Sequence, residues 1–247
     1  MLGTTVLPLR VSVKCRPVAD VETFEPDLQL VAPRRKGRIA STLLLMEDVA
    51  AKLEAAWEVF ARTCANAVAP EATFQAWFAH YLISQFGIDR VAREPIFNHR
   101  HADSMWQALV PGGEVKLDAV VLRQPGVNLP HYVHRPADAD ADGDRDRTGM
   151  ATLADLAVIS ELKVAATAGK GLHHRQVAQD VYKLSMLLEQ AERRNIQPPL
   201  AYLGILNNNV GHSYDRAGLD NRLAAIPHHP DVRILISPEP EAHSAPT

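Results

Sequence analysis

Glu161 and Lys163 stand two positions apart in the apolar run Val158-Ile159-Ser160-Glu161-Leu162-Lys163-Val164, the part of this 247-residue chain best suited to chemistry. Read as a strand, the run sends both charged side chains to one face and Leu162 and Val164 to the other, because side chains alternate with a period of two. Charge on a buried strand is costly unless a metal, a ligand or a counter-charge compensates it. A second carboxylate, Asp118, interrupts the apolar side of Val115-Lys116-Leu117-Asp118-Ala119-Val120-Val121-Leu122, which also reads as a strand. The turn residues Pro111-Gly112-Gly113 lead into it. If the two strands pair, Asp118 and Glu161 converge on one Mg²⁺ ion, which commonly takes one or two carboxylates and keeps several waters. Lys163 then stands beside the ion as a point charge, able to hold a water or to offset the charge of a phosphate.

The elements that must position these groups are legible from periodicity. Ser41 or Thr42 caps a long amphipathic helix running to about Asn66, with Leu45, Val49, Leu53, Ala56, Trp57 and Phe60 at helical spacing. A second helix starts after Ala69, with Pro70 in its first turn, and stops near Gly87. Arg90 to Phe97 reads as a strand, followed by strands near 115–123 and 153–165 and a helix over about 172–193. Leu200 to Leu206 fits a buried strand, Leu219 to Ile226 a short helix, and Asp231 to Ile236 a last strand. The order of helix, three strands, helix and strand predicts an α/β fold with a mixed central sheet flanked by helices.

This order, with Asp118 on one strand and Glu161-Leu162-Lys163 on the next, resembles the PD-(D/E)XK nuclease superfamily, the restriction-endonuclease-like fold. The resemblance covers about residues 70 to 207, with Leu117 where the motif name has proline. It implies an αβββαβ core at 67–237, carrying an acidic insert at 136–149, behind an N-terminal helical extension at 1–66 and ahead of a tail at 238–247. It also implies a Mg²⁺-dependent nuclease, with Mn²⁺ as a substitute, that hydrolyses phosphodiester bonds of DNA in restriction, repair or defence; RNA is left open. Asp118, Glu161 and the backbone carbonyl of Leu162 would hold the metal and Lys163 would serve the attacking water. Glu71 from the second helix and Gln176 from the helix after the motif would complete the catalytic set. Double-strand cutting by this fold generally needs two sites, which makes a homodimer the expected assembly.

Plainer readings stand beside these. Glu71 in a first helical turn is favoured by the helix dipole whatever its function. The polar strip of Gln176, Gln179, Asp180 and Lys183 could be a solvent face. Lys170, His173 and Arg175 make a basic segment after the motif strand, able to contact nucleic-acid phosphates or to serve as an ordinary loop. Asp138-Ala139-Asp140-Ala141-Asp142-Gly143 copies the front half of a calcium loop, but position twelve is Gly149 where a bidentate glutamate belongs. The rival functions are therefore a silent member of the fold that binds nucleic acid or protein, and a calcium-responsive interaction protein built on the 138–146 loop.

Composition sets the outer limits. A formal charge of −3 argues against binding nucleic acid by bulk charge, while a local basic groove stays compatible with it. Two cysteines, Cys15 and Cys64, form no disulfide framework and suit a reducing cytoplasm. No apolar run reaches membrane-spanning length, and no membrane partner is expected.

Overall fold

The computed structural model describes residues 35–99, 102–126, 149–166, 172–209, 211 and 214–238. Residues 1–34, the acidic insert with its calcium-loop reading, the segment containing Lys170, and the tail from 239 lie outside the described residues.

The centre of the molecule is a five-stranded mixed sheet in the order β1-β4-β5-β6-β7. The strands are β1 (Val91–Arg93), β4 (Ala119–Leu122), β5 (Leu156–Val164), β6 (Leu200–Leu206) and β7 (Val232–Ser237). β4 runs antiparallel to both β1 and β5, whereas β5, β6 and β7 run parallel. The motif strand β5 is therefore interior, which is why it reads as a near-continuous apolar run. The parallel pairs need crossovers, and the intervening helices α4 (His174–Arg193) and α5 (Arg216–Ala224) supply them.

Each sheet face is covered. On one side α4 and α5 pack Val177, Val181, Leu184, Leu188, Leu219 and Leu223 against Ile159, Leu203 and Ile205. On the other, α1 (Arg35–Cys64) and α2 (Glu71–Phe86) pack Leu53, Trp57, Phe60, Phe74, Phe78 and Leu82 against Val121, Val158, Leu162 and Tyr202. The helix expected in the N-terminal extension is thus built into the sheet's second face. It also begins at Arg35, not at a Ser41 or Thr42 cap. Trp57 sits so close to β6 that a Cβ on Gly204 would lie 2.6 Å from its ring, so only glycine fits there. Pro70 is the N-cap of α2 and not a first-turn residue, and Gly87, at φ +89°, ends the helix.

Two expected strands turn out to be broken, and at the same level. Arg90–Phe97 divides into β1 and β2 (Ile96–Asn98), and 115–123 divides into β3 (Glu114–Lys116) and β4. β2 and β3 form a separate two-stranded antiparallel sheet. The registers place the breaks opposite each other: Arg93 pairs with Ala119, and Ile96 with Lys116. Between them Glu94 takes φ +57° and Pro95 brings no N–H to the ladder. The ribbon bends out of the main sheet here, with Asp118 on the bend and not inside a strand as its sequence suggests. Two short elements escaped the periodicity reading: α3 (Ser104–Leu109), capped by Asp103 through the Met105 N–H, and a 3-10 turn at Met150–Asp155 that leads into β5.

Candidate functional site

The bend leaves a notch in the sheet. Ala119 and Ser160 are the last paired residues of β4 and β5, and β5 continues four residues further, to Val164. Asp118 turns its side chain into the gap: its Oδ2 accepts the Leu162 N–H at 2.8 Å. The carboxylate thereby takes the place of the missing strand for that peptide group. In an extended strand a residue's N–H and C=O leave on the same edge, so the Leu162 carbonyl also faces the notch. Asp118 Oδ1 accepts from Gln75 Nε2 at 2.7 Å, which ties the bend to α2.

Glu161 and Lys163 project together toward α4, as their spacing predicts. Glu161 is only 2% exposed and lies within hydrogen-bonding reach of Asp118. Its Oε1 accepts from Lys183 Nζ at 3.2 Å. Lys183 also reaches Asp180 Oδ1 at 2.7 Å, one turn earlier on the same helix. Asp180 Oδ2 is 2.9 Å from Lys163 Nζ, an ion pair without a hydrogen bond. Lys163 in turn donates to Glu71 Oε1 at 3.1 Å, at the start of α2. Charges thus alternate along Glu71, Lys163, Asp180, Lys183 and Glu161, with Asp118 beside the last.

The electrostatics follow from burial. Removal from water raises the Asp118 carboxyl above its ordinary range, against the Leu162 N–H and the Lys163 charge, which lower it. Burial pushes Glu161 well up, and the neighbouring Asp180 and Asp118 charges push it further than Lys183 and Lys163 pull it down. For Lys163 burial works against the charged form, but Asp180, Glu71, Glu161 and Asp118 outweigh it and raise the group. Lys183 follows the same balance, with Glu161 and Asp180 raising it over the effect of burial. Four carboxylates face two ammonium groups, a formal surplus of two negative charges in one half-buried cluster.

Among the expected site residues, Glu71, Asp118, Glu161 and Lys163 come together. Gln176 does not: it is exposed, and its place is taken by Asp180 and Lys183. Gln176 and Asp180 share one helical stripe, but four residues displace a side chain by about 6 Å along the axis. α4 returns antiparallel to β5, so its second and third turns, carrying Asp180 and Lys183, and not its first, lie level with Lys163 and Glu161. His173 and Arg175 are exposed at the start of α4 and reach none of these groups. The neighbouring His174 bonds Tyr214 Oη at 3.1 Å. Gln75 is a site residue that the sequence reading missed, although it lies one turn from Glu71 on the same helix face.

Among the described residues, no group of three or more His, Cys, Asp or Glu side chains is disposed to hold a metal ion. The Asp118–Glu161 pair with a backbone carbonyl and waters is nonetheless the kind of donor set that magnesium takes. No described helix is long and apolar enough to cross a membrane. Fold and site together define an α/β protein whose central strand carries a carboxylate–lysine cluster at a break in a mixed sheet. The chain matches no protein-family model, no curated protein and no solved structure.

Proposed function

We propose that this protein is a metal-dependent nuclease with a restriction-endonuclease-like core, hydrolysing phosphodiester bonds of DNA. The observation that carries this reading is the convergence of Asp118 and Glu161 beside the notch, inside a cluster whose formal surplus of two negative charges matches one divalent cation. Asp118, Glu161 and the Leu162 carbonyl would hold Mg²⁺ or Mn²⁺, hard cations that prefer oxygen donors. The bound ion supplies Lewis-acid charge to the phosphoryl group and lowers the pKa of a water.

The chain's own residues have separate tasks in this reading. Gln75 and the Leu162 N–H aim the Asp118 carboxylate, and Lys183 aims Glu161, as outer partners orient ligands in metal sites. Lys163 remains protonated among its carboxylates and offers a positive charge to the water or to the phosphate oxygens. Glu71, at the open side of the cluster with its side chain 37% exposed, steadies Lys163. The basic start of α4, with His173 and Arg175 exposed, offers cations to a phosphate backbone, and a homodimer would bring two sites to the two strands of a duplex.

The test is a cleavage assay on supercoiled plasmid, linear duplex, single-stranded DNA and RNA with Mg²⁺, Mn²⁺ or Ca²⁺. The expected result is cutting of DNA with Mg²⁺ or Mn²⁺ that Glu161→Ala abolishes and Lys163→Ala reduces to a small residual rate. Cutting by either variant at the wild-type rate would refute the site. A wild-type protein inert on every substrate, and unable to bind Mn²⁺, would refute the function.

A further inference from the structure

We infer that Asp180 is a positioning residue of this site, one buried carboxylate that fixes Lys163 and Lys183 together and, through Lys183, orients Glu161. The inference rests on the nuclease reading of the cluster and adds to it a residue outside the metal and water positions. Asp180 is 2% exposed, on the face of α4 that covers β5. Each of its oxygens serves one ammonium group: Oδ1 lies 2.7 Å from Lys183 Nζ, and Oδ2 lies 2.9 Å from Lys163 Nζ. Lys183 passes the constraint to Glu161 Oε1 at 3.2 Å.

Two comparisons identify Asp180 as the controlling contact. The other carboxylate holding Lys163 belongs to Glu71, whose side chain is 37% exposed, so water competes for it. That of Asp180 is 4% exposed, and water does not compete to the same degree. Lys183, three residues further along the same helix, shares a rigid frame with Asp180, so the pair moves as a unit. An asparagine at this position would keep the shape but present an NH₂ group to one of two ammonium groups, donor against donor. One lysine would then lose its place.

The experiment compares the full-length wild type with Asp180→Asn, Asp180→Glu, Lys163→Ala and the double variant Asp180→Asn/Lys163→Ala. With DNA and Mg²⁺, Asp180→Asn is expected to lower kcat about 10- to 100-fold with KM little changed, the usual loss on removing an outer partner. Because Asp180 acts in part through Lys163, the double variant should be slowed by less than the product of the two single effects. Asp180→Glu, which keeps two acceptor oxygens, should recover part of the rate.

A second readout does not depend on cleavage. In ¹⁵N spectra of the lysine side chains, the wild-type Lys163 and Lys183 ammonium signals should be visible through slowed exchange. At least one should vanish in Asp180→Asn while the backbone amide spectrum persists, and both should remain in Asp180→Glu. Signals invisible in the wild type, or unchanged in Asp180→Asn, would overturn the inference, as would a double variant slowed by the full product of the single effects. If Asp180→Asn does not fold, Asp180→Glu decides: retention of both signals supports the role and loss of either overturns it. If the wild type cuts no nucleic acid and binds no Mn²⁺, the nuclease reading fails and the ammonium spectra alone decide the role of Asp180.

Discussion

Replacing Glu161 by glutamine should stabilise the metal-free protein, the reverse of what substitution at a 2%-exposed position ordinarily does. The side chain keeps its shape, and its remaining oxygen can still accept from Lys183, now at 3.2 Å from Oε1. What disappears is a buried negative charge beside Asp118 and Asp180, both of which push the Glu161 carboxyl upward after burial itself. An uncompensated buried ion costs several kcal/mol, and a charge-assisted hydrogen bond returns about 1.5–3 kcal/mol of that. The difference leaves a net gain for Glu161→Gln of about 1–3 kcal/mol at alkaline pH. For a domain of this size that corresponds to a rise in Tm of about 2–12 °C.

The pH dependence fixes the sign. Folded Glu161 binds its proton more tightly than the unfolded residue, whose reference value is 4.5. Stability from this group is therefore fully present below 4.5 and is lost as pH rises through the folded value. Glutamine does not titrate, so its advantage should be absent in acid and grow with pH. The assay is calorimetric Tm for both proteins between pH 4 and pH 9, in chelator and then in excess Mg²⁺ or Mn²⁺. Added metal should reverse the order, because a ligand bound only by the folded wild type stabilises it by RT ln(1 + [L]/Kd). A variant less stable than the wild type in chelator at pH 8, or a difference flat across the range, would refute the reasoning.

Three further outcomes follow from named contacts. Gln75→Ala removes the 2.7 Å bond that aims Asp118 and should weaken Mn²⁺ binding by about 10- to 100-fold, read by titration calorimetry. Lys183→Met leaves Asp180 and Glu161 without a shared cation and should cost about 3–5 kcal/mol of stability in chelator, read by urea unfolding; unchanged stability would show the pair to be idle. Gly204→Ala drives a methyl group to 2.6 Å from the Trp57 ring and should lower stability by about 1–3 kcal/mol, with Trp57 fluorescence shifted as its packing is disturbed.

The interior of the sheet was legible because its strands obey local rules. Leu200 to Leu206 is apolar at every position because β6 is paired on both edges and covered on both faces, and its bounds are those expected. The bent ribbon was not legible. Pro95 signals a break within its own strand, whereas at Leu117-Asp118 the local signal is only an acid, and the position of the break is imposed by its partner across the register. Strand interiors disfavour an acid such as Asp118, and the fold answers that objection by taking it out of the strand. The long N-terminal helix showed its apolar stripe, yet periodicity reports only that a face is buried. That this face meets Gly204 and Tyr202 of β6 depends on contacts about 150 residues away in sequence.

The helix α4 shows where reading by spacing must stop. Gln176, Asp180 and Lys183 lie on one stripe, and spacing alone ranks them equally. Which turn stands level with Glu161 depends on where the chain re-enters after β5, a length set by residues 165–173 and carrying no periodic signal. Charge supplies the criterion that spacing lacks. A buried Glu161 beside a half-buried Asp118 requires cations, and an amide such as Gln176 offers none, whereas Lys183 does. Lys183 cannot neutralise the pair alone, and Lys163 is shared with Asp180 and Glu71. The cluster therefore remains two charges short of balance with every lysine in place. In the proposed reading that formal deficit makes a divalent cation a partner in stability as well as in chemistry, and it is why removing the Glu161 charge and adding metal should relieve the same strain by different routes.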